Sequence, residues 1–543
     1  VKMKKLPLIS FLSLVLLSVN VLAQTNDTIS ADSTKKELPD NWFNLDPSND
    51  NIQGISTDKT YAELLKGKKS STIVVAVIDS GIDTEHEDLQ GSIWINEDEI
   101  AGNGLDDDQN GYIDDINGWN FLGNSKGENI SSDSYELTRE YARLSDKFDG
   151  KKKIKKKDRI EYEYYEQVKK EFDRQKAEAE EQQTFFNNIK KSFELVNSFF
   201  DAYFKGSPYS ESDIRSIETE DQMILQAKQF MIMAYDNGIN DEVLKQEKER
   251  IDKTINYAFN LDYNPRDLVG DDYSNLSEKG YGNNDVKGPD ASHGTHVAGI
   301  IAANRINDLG IKGIADNVKI MVIRAVPDGD ERDKDIANAI YYAVDNGARI
   351  VNMSFGKSYS PNKEIIDKAV KHAENQGVLL IHAAGNSSKN IDMKNNFPTK
   401  NFKDGKGYAK NWIEVGASSA FLGKELVGTF SNYGQKNVDV FAPGVAITST
   451  TPDQGYEAFD GTSMAAPATT GLAALLLSYF PTLTLEELTN IILTSGVRHE
   501  SEEVMLPSTK EEKVIRFGEL SKTGTIINTY NAVKMASSIV TSN

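Results

Sequence analysis

With 543 residues the chain is long enough for about two to four domains, and its net charge of −22 argues against binding a nucleic-acid backbone. It has no cysteine, which excludes disulfides, thiolate metal sites and a cysteine nucleophile.

Taken in chain order, Lys2, Lys4 and Lys5 precede an apolar stretch at residues 6–22, and Val21-Leu22-Ala23 before Gln24 has the small-residue character of a cleavage site. Residues 1–23 therefore read as a signal peptide, with export to the periplasm or the extracellular space and no stable membrane insertion after cleavage. Residues 24–50 are polar and read as a solvated lead-in, and residues 61–65 as a short helix.

Ile73-Val74-Val75-Ala76-Val77-Ile78 is a continuous apolar run of the kind a buried parallel strand shows. It ends in Asp79, which places that carboxylate at the strand's carboxyl end, where the sites of open α/β sheets lie. Further on, Asp106, Asp108, Asn110, Tyr112 and Asp114 have the spacing of the first nine positions of an EF-hand loop. Alternate carboxylates, the Tyr112 carbonyl and the turn at Gly111 can wrap oxygen ligands around a calcium ion. The residue at the twelfth position is Asn117 and not a glutamate, so the coordination must close differently. The plainer reading is an acidic turn, but so many carboxylates repel one another without a cation.

From about residue 135 the composition turns to lysine, glutamate and glutamine, with a basic block at residues 151–157. Ile160, Tyr164, Val168 and Phe172 recur at four-residue spacing, and Ile189, Phe193, Val196, Phe200 and Tyr203 at four and three. Both are amphipathic-helix patterns, and further helices are expected over residues 213–235 and 241–259, with breaks at Pro208 and Gly238. The pattern is that of an inserted helical hairpin or small bundle over residues 135–262.

The α/β alternation then resumes. Ser292-His293-Gly294-Thr295-His296 opens an apolar helix, and strands are expected at residues 318–326, 349–353, 378–383, 413–417 and 438–441, with helices at 335–346 and 361–375. Gly461-Thr462-Ser463-Met464-Ala465-Ala466-Pro467 leads into a long apolar helix. A Gly-Thr-Ser turn before a helix is often only a cap. A serine there is also well placed as a nucleophile, because the helix N-terminus offers unpaired N–H groups to developing negative charge.

Asp79, His293 and Ser463, each within its motif and in that order, together with Ala383-Ala384-Gly385-Asn386, resemble the subtilase family of serine peptidases. The resemblance covers about residues 73–124 and 267–536. It implies a subtilisin-like fold: a mostly parallel β-sheet with helices on both faces, interrupted here by a large α-helical insertion. It also implies a serine endopeptidase acting on polypeptides through an acyl-enzyme. Asp79 would orient His293, His293 would take the Ser463 proton, and Asn386 would donate to the oxyanion. Ser354, Phe355 and Gly356 match the segment along which such enzymes bind an extended peptide. Calcium is expected as a structural ion, no organic cofactor is expected, and by resemblance Asp88 with the loop near Asn307 forms a second, weaker calcium site.

The expected division is a leader at 1–23, a polar segment at 24–50, a peptidase domain at 51–134 and 263–543, and the insertion at 135–262. The span between Gln24 and Ile73 is short for the folded propeptide usual in secreted subtilases. The insertion is expected to limit substrate access or to dock a protein partner. By the same resemblance the acidic loop at residues 328–335 falls where such enzymes line the pockets upstream of the cleaved bond, which implies tolerance for basic side chains there; the plainer reading is helix capping. Among the other histidines, His296 and His86 read as structural, and His372, His382 and His499 lie in no motif. The rival reading is a catalytically silent subtilase-fold binding protein, against which the presence of all four site residues counts.

Overall fold

The computed structural model describes residues 38–508 and 512–542, so the expected leader and residues 24–37 lie outside the described residues. The described end of the polar lead-in is solvated only in part. Trp42 and Phe43 are buried in the core, and the Trp42 indole donates to the Ala446 carbonyl at 2.8 Å. Two adjacent aromatics bury enough apolar area to outweigh the polar residues around them.

Contacts divide the chain into two compact units, Leu38–Glu136 with Asn264–Asn543, and Leu137–Tyr263. The first is built on a nine-stranded sheet. Seven of its strands position the site: β1 (Ile73–Asp79), β2 (Gly118–Asn120), β3 (Val318–Arg324), β4 (Ile350–Met353), β5 (Leu379–Ala383), β6 (Trp412–Ser418) and β7 (Val440–Pro443). They lie in the order β2-β3-β1-β4-β5-β6-β7 and pair in parallel throughout. Strand Thr525–Ile526 extends the sheet in parallel, and Val497–Arg498 closes it in antiparallel fashion.

Helices cover both faces, which is why the strands read as unbroken apolar runs. Side chains alternate between two cores. Val75, Val77, Ile320, Val322 and Ile381 pack with helix α1 (Ser292–Ala302) and helix α4 (Thr462–Tyr479). Ala76, Ile78, Met321, Ile323 and Leu380 pack with α2 (Asp333–Asp345) and α3 (Lys363–Asn375). β1 lies between β3 and β4: after β1 the chain forms β2 and β3 on one side, then crosses to β4 on the other. The carboxyl end of β1, at Asp79, is therefore a topological switch point, where an open α/β sheet leaves a crevice.

The second unit is helical. The two amphipathic patterns at 160–172 and 189–203 belong to one helix, Arg159–Tyr203, of 45 residues. Its N-terminal half stacks Phe172 on Tyr141 at 4.4 Å between ring centroids. Its C-terminal half forms a separate core, in which Phe193 and Phe200 pack with Phe230, Met231 and Leu244. Ile160, expected on the buried face, is 83% exposed, and Tyr165 is buried in the first turns instead. The helix expected over 213–235 is two helices, Glu211–Ser216 and Gln222–Asp236. The break falls where Asp221 caps the second by accepting from the N–H groups of Met223 and Ile224, as Asp does at N-caps.

Candidate active site

Asp79 ends β1 and His293 is the second residue of α1. The structure brings them together: His293 Nδ1 donates to Asp79 Oδ1 at 2.8 Å. The same oxygen accepts the Ser80 N–H at 2.8 Å, which fixes the carboxylate relative to its own backbone. Asp79 is buried and the His293 ring half-buried. Burial lowers the imidazole pKa, but the charge and hydrogen bond of Asp79, aided by the Asp290 charge, outweigh it and leave His293 above its ordinary value. Because Nδ1 is engaged by the carboxylate, Nε2 is the nitrogen available to act on another group.

Ser463 is the second residue of α4, which is buried along nearly its whole length. Pro467 lies inside this helix. A proline has no N–H, so the carbonyl four residues earlier, that of Ser463, lacks its helical donor. The Ser354 hydroxyl takes that place and donates to the Ser463 carbonyl at 2.9 Å. In return the Ser463 hydroxyl donates to the Ser354 carbonyl at 3.1 Å. The two serines thus bind the start of α4 to the end of β4.

Asn386 follows β5. Its side-chain oxygen accepts both the N–H and the hydroxyl of Thr462, each at 2.9 Å. This fixes which way the amide points, since its oxygen is turned to Thr462 and its nitrogen away from it. A β-carbon placed on Gly461 would lie 3.4 Å from that amide nitrogen and 3.5 Å from the Ser463 backbone nitrogen. The space beside Gly461 is therefore bounded by two N–H donors, as a site for an oxyanion requires.

Phe355 and Gly356 line a cavity of about 400 Å³ together with Asp79, His293, Asp290 and Asp328. Gly356 lies against the Asn396 side chain, which also donates to the Ala383 carbonyl at 3.3 Å. The edge is anchored by Lys357, a buried residue whose ammonium donates to Glu136 at 2.9 Å and to the Glu331 carbonyl at 2.7 Å. In the acidic loop Asp333 and Asp335 stand in the first turn of α2, as the helix-start reading expects, and the carboxylates also take buried partners. Asp333 pairs with Lys357 at 2.8 Å, Asp335 pairs with Arg266 at 2.8 Å, and Asp330 accepts the Glu136 N–H. Of that loop, Asp328, Gly329 and Glu331 line the cavity.

The histidines outside the pair have structural surroundings. His296 is buried, stacked on Phe459 at 4.2 Å, with Nε2 2.9 Å from the Ile447 carbonyl oxygen, and burial lowers its pKa to about 3. His86 accepts the Asp88 N–H on Nδ1 at 3.1 Å. Asp88 itself is buried and accepts from Asn307, Ile311 and Tyr456.

In the acidic loop after β1, carboxylate oxygens of Glu99, Asp106 and Asp108 lie within 4.8 Å of one another, a donor set that can hold a hard cation. Asp106 also accepts the N–H groups of Asn110 and Gly111. The other expected ligands are turned to different partners. Asp114 accepts the N–H groups of Asn103 and Gly104, and Asn110 accepts the Tyr112 N–H. The Tyr112 ring is buried against Trp119 and Tyr342.

The sequence pattern of the Subtilase family matches residues 70–513. The chain belongs to the subtilase family. It is 41% identical over 188 residues to a thermophilic serine proteinase of Bacillus sp. (strain AK1), covering 34% of this chain and 43% of that one. It is 39% identical over 186 residues to alkaline elastase YaB of Bacillus sp. (strain YaB), covering 34% and 44%. It is 35% identical over 201 residues to subtilisin DY of Bacillus licheniformis, covering 36% and 68%. The chain thus spans less than half the length of the first two relatives.

Some residues of this subtilase site were not singled out from the sequence. Glu99 joins the acidic loop from seven positions upstream of Asp106, and the only signal for it is the run Glu97-Asp98-Glu99. Asn396 and Asp290 carry no motif, because what brings them to the cleft is the folding of loops.

Two outcomes follow from the geometry. His293 must be neutral to accept a proton, so hydrolysis should appear as pH rises through a pKa above about 6.5. Asp290→Asn should move that acid limb of kcat/KM to lower pH. A limb at or below the ordinary histidine value, or one the substitution leaves in place, would contradict the electrostatics. Gly461→Ala fills the space between the two donors, while Gly461 has an extended backbone (φ 161°) that alanine can adopt. The variant should fold normally and lose about 10²–10³-fold in kcat, the scale of a lost oxyanion donor. Parent-like turnover would show that the reaction does not use this space.

Proposed function

We propose that the chain is an exported serine endopeptidase that cleaves polypeptides through an acyl-enzyme. The observation that carries this reading is the Asp79–His293 hydrogen bond of 2.8 Å at the switch point of the sheet, in a chain of the subtilase family. Asp79 holds the imidazole with its proton on Nδ1 and stabilises the imidazolium that forms. His293 Nε2 takes the Ser463 proton as the hydroxyl leaves the Ser354 carbonyl and attacks the substrate carbonyl. The new oxyanion enters the space beside Gly461, facing the Asn386 amide and the Ser463 N–H. His293 then protonates the leaving amine, and water releases the acyl group by the reverse sequence. The substrate lies extended along Ser354, Phe355 and Gly356, bound through its backbone.

In this reading the peptidase domain comprises residues 51–134 and 263–543, and the leader at 1–23 directs export to the periplasm or the extracellular space. No helix among the described residues is long and apolar enough to cross a membrane. Calcium is the ion we assign to the acidic loop, held by Glu99, Asp106 and Asp108, where it would offset carboxylate repulsion and stiffen the loop. The helical insertion limits which polypeptides reach the site or docks a protein partner.

Ser463→Ala should abolish cleavage of a denatured protein pool while leaving the melting temperature within a few degrees of the parent. Residual turnover within about tenfold of the parent would remove Ser463 from the reaction. A parent that cleaves nothing would restore the reading as a silent binding protein. Calcium should raise Tm by mass action, and Asp106→Ala with Asp108→Ala should remove most of that rise. A chelator without effect on the parent Tm would contradict the ion. Replacing residues 137–262 with a Gly/Ser linker tests the insertion. If it restricts access, cleavage of large proteins rises while turnover of short peptides holds; equal rates on both would leave only docking.

A further inference from the structure

Arg324, the last residue of β3, is 2% exposed and lines the cleft cavity with Asp79 and His293. Burying a guanidinium is unfavourable unless it is paired. Among the described residues no carboxylate forms an ion pair with this one. Asp285 and Asp290 act on it only at longer range; burial lowers its pKa to about 10, so it remains a cation at neutral pH. Its donors go to three neutral oxygens on three segments: the Ser80 carbonyl at 2.9 Å, the Asn120 side chain at 3.0 Å and the Ile130 carbonyl at 2.5 Å. A planar fork of fixed donors can span such divergent acceptors, and a lysine ammonium cannot.

We infer that Arg324 is a positioning residue for the Asp79–His293 pair, acting through the backbone of Ser80, whose carbonyl and N–H belong to the two peptide groups on either side of its α-carbon. Arg324 fixes the carbonyl of Ser80, and the N–H of Ser80 fixes the Asp79 oxygen that receives His293. Strand register puts Arg324 directly beside Asp79, and the N–H groups of Ala325 and Val326 both donate to the Asp79 carbonyl. The last donor holds Ile130, next to Ser131, whose carbonyl accepts the Asp328 N–H; both Ser131 and Asp328 line the cleft. One side chain therefore sets both the acid of the site and one of its walls. Gly288 closes over it: a β-carbon there would lie 2.2 Å from Arg324 Nε, and its φ of +62° also favours glycine.

This inference rests on the peptidase reading. It is tested by kcat, KM and the acid limb of kcat/KM on a short fluorogenic peptide, for the full chain with Arg324→Met, Arg324→Lys and Gly288→Ala. Arg324→Met should lose about 10²-fold in kcat, the scale of a misplaced reacting group, with KM within about threefold. Its acid limb should move to lower pH, because Asp79 no longer sits firmly on His293. Arg324→Lys, which keeps the charge and one hydrogen bond, should recover part of both effects. Gly288→Ala, which displaces the guanidinium from outside, should shift both in the same direction and add little when combined with Arg324→Met. Parent-like kcat and acid limb in Arg324→Met, with only Tm lowered, would leave Arg324 a purely structural tie. If that variant does not fold, a parent-like kcat and limb in Gly288→Ala overturns the inference equally. Failure of the peptidase reading looks different, since the parent itself would then neither hydrolyse the peptide nor react with a fluorophosphonate.

Discussion

The hydrogen bond between Asp79 and His293 joins residues 214 positions apart in sequence, and much of the fold serves to close that loop. Asp79 is fixed by a strand buried on both faces, His293 by an apolar helix packed on that strand's core. The chain between them leaves the sheet and returns, so its two roots must be held firmly near the switch point. Buried ion pairs do this: Arg332 with Asp133 and Lys357 with Glu136 at one root, Arg266 with Asp335 at the other. Such pairs contribute little net stability against apolar packing, but losing one partner strands a buried charge. They specify position where apolar contacts alone would permit sliding.

A second constraint comes from one proline. Pro467 removes the helical partner of the Ser463 carbonyl, and the Ser354 hydroxyl fills the vacancy. The serine at the helix mouth is thereby tied to the edge along which a peptide would lie. The Thr462 contacts with Asn386 add the remaining donor. Ser463, Ser354 and Asn386 come from three separate segments, yet hydrogen bonds to one helical turn fix them all.

The residues of the candidate site were legible in the sequence wherever they sat beside a strong local pattern. Asp79 ends an apolar run, His293 and Ser463 open apolar helices, and Asn386 follows a buried strand. Residues brought in by loop folding were not legible: Glu99 completes the acidic cluster from outside the EF-like spacing, while Asp114, which satisfies that spacing, turns to Asn103 and Gly104. The helical patterns at 160–172 and 189–203 showed helix but not continuity, since nothing in the weakly apolar stretch between them marks a break or its absence. The acidic loop at 328–335 was ambiguous because a carboxylate in sequence does not reveal whether a buried arginine or lysine will meet it.

In the proposed mechanism Ser463 becomes a nucleophile because His293, held by Asp79, removes its proton. The most direct measurement is peptide mapping by mass spectrometry after reaction with a fluorophosphonate. One phosphonyl group is expected, on Ser463, and it should be lost in folded His293→Ala. Label on a different serine, or undiminished label on Ser463 without His293, would contradict this mechanism.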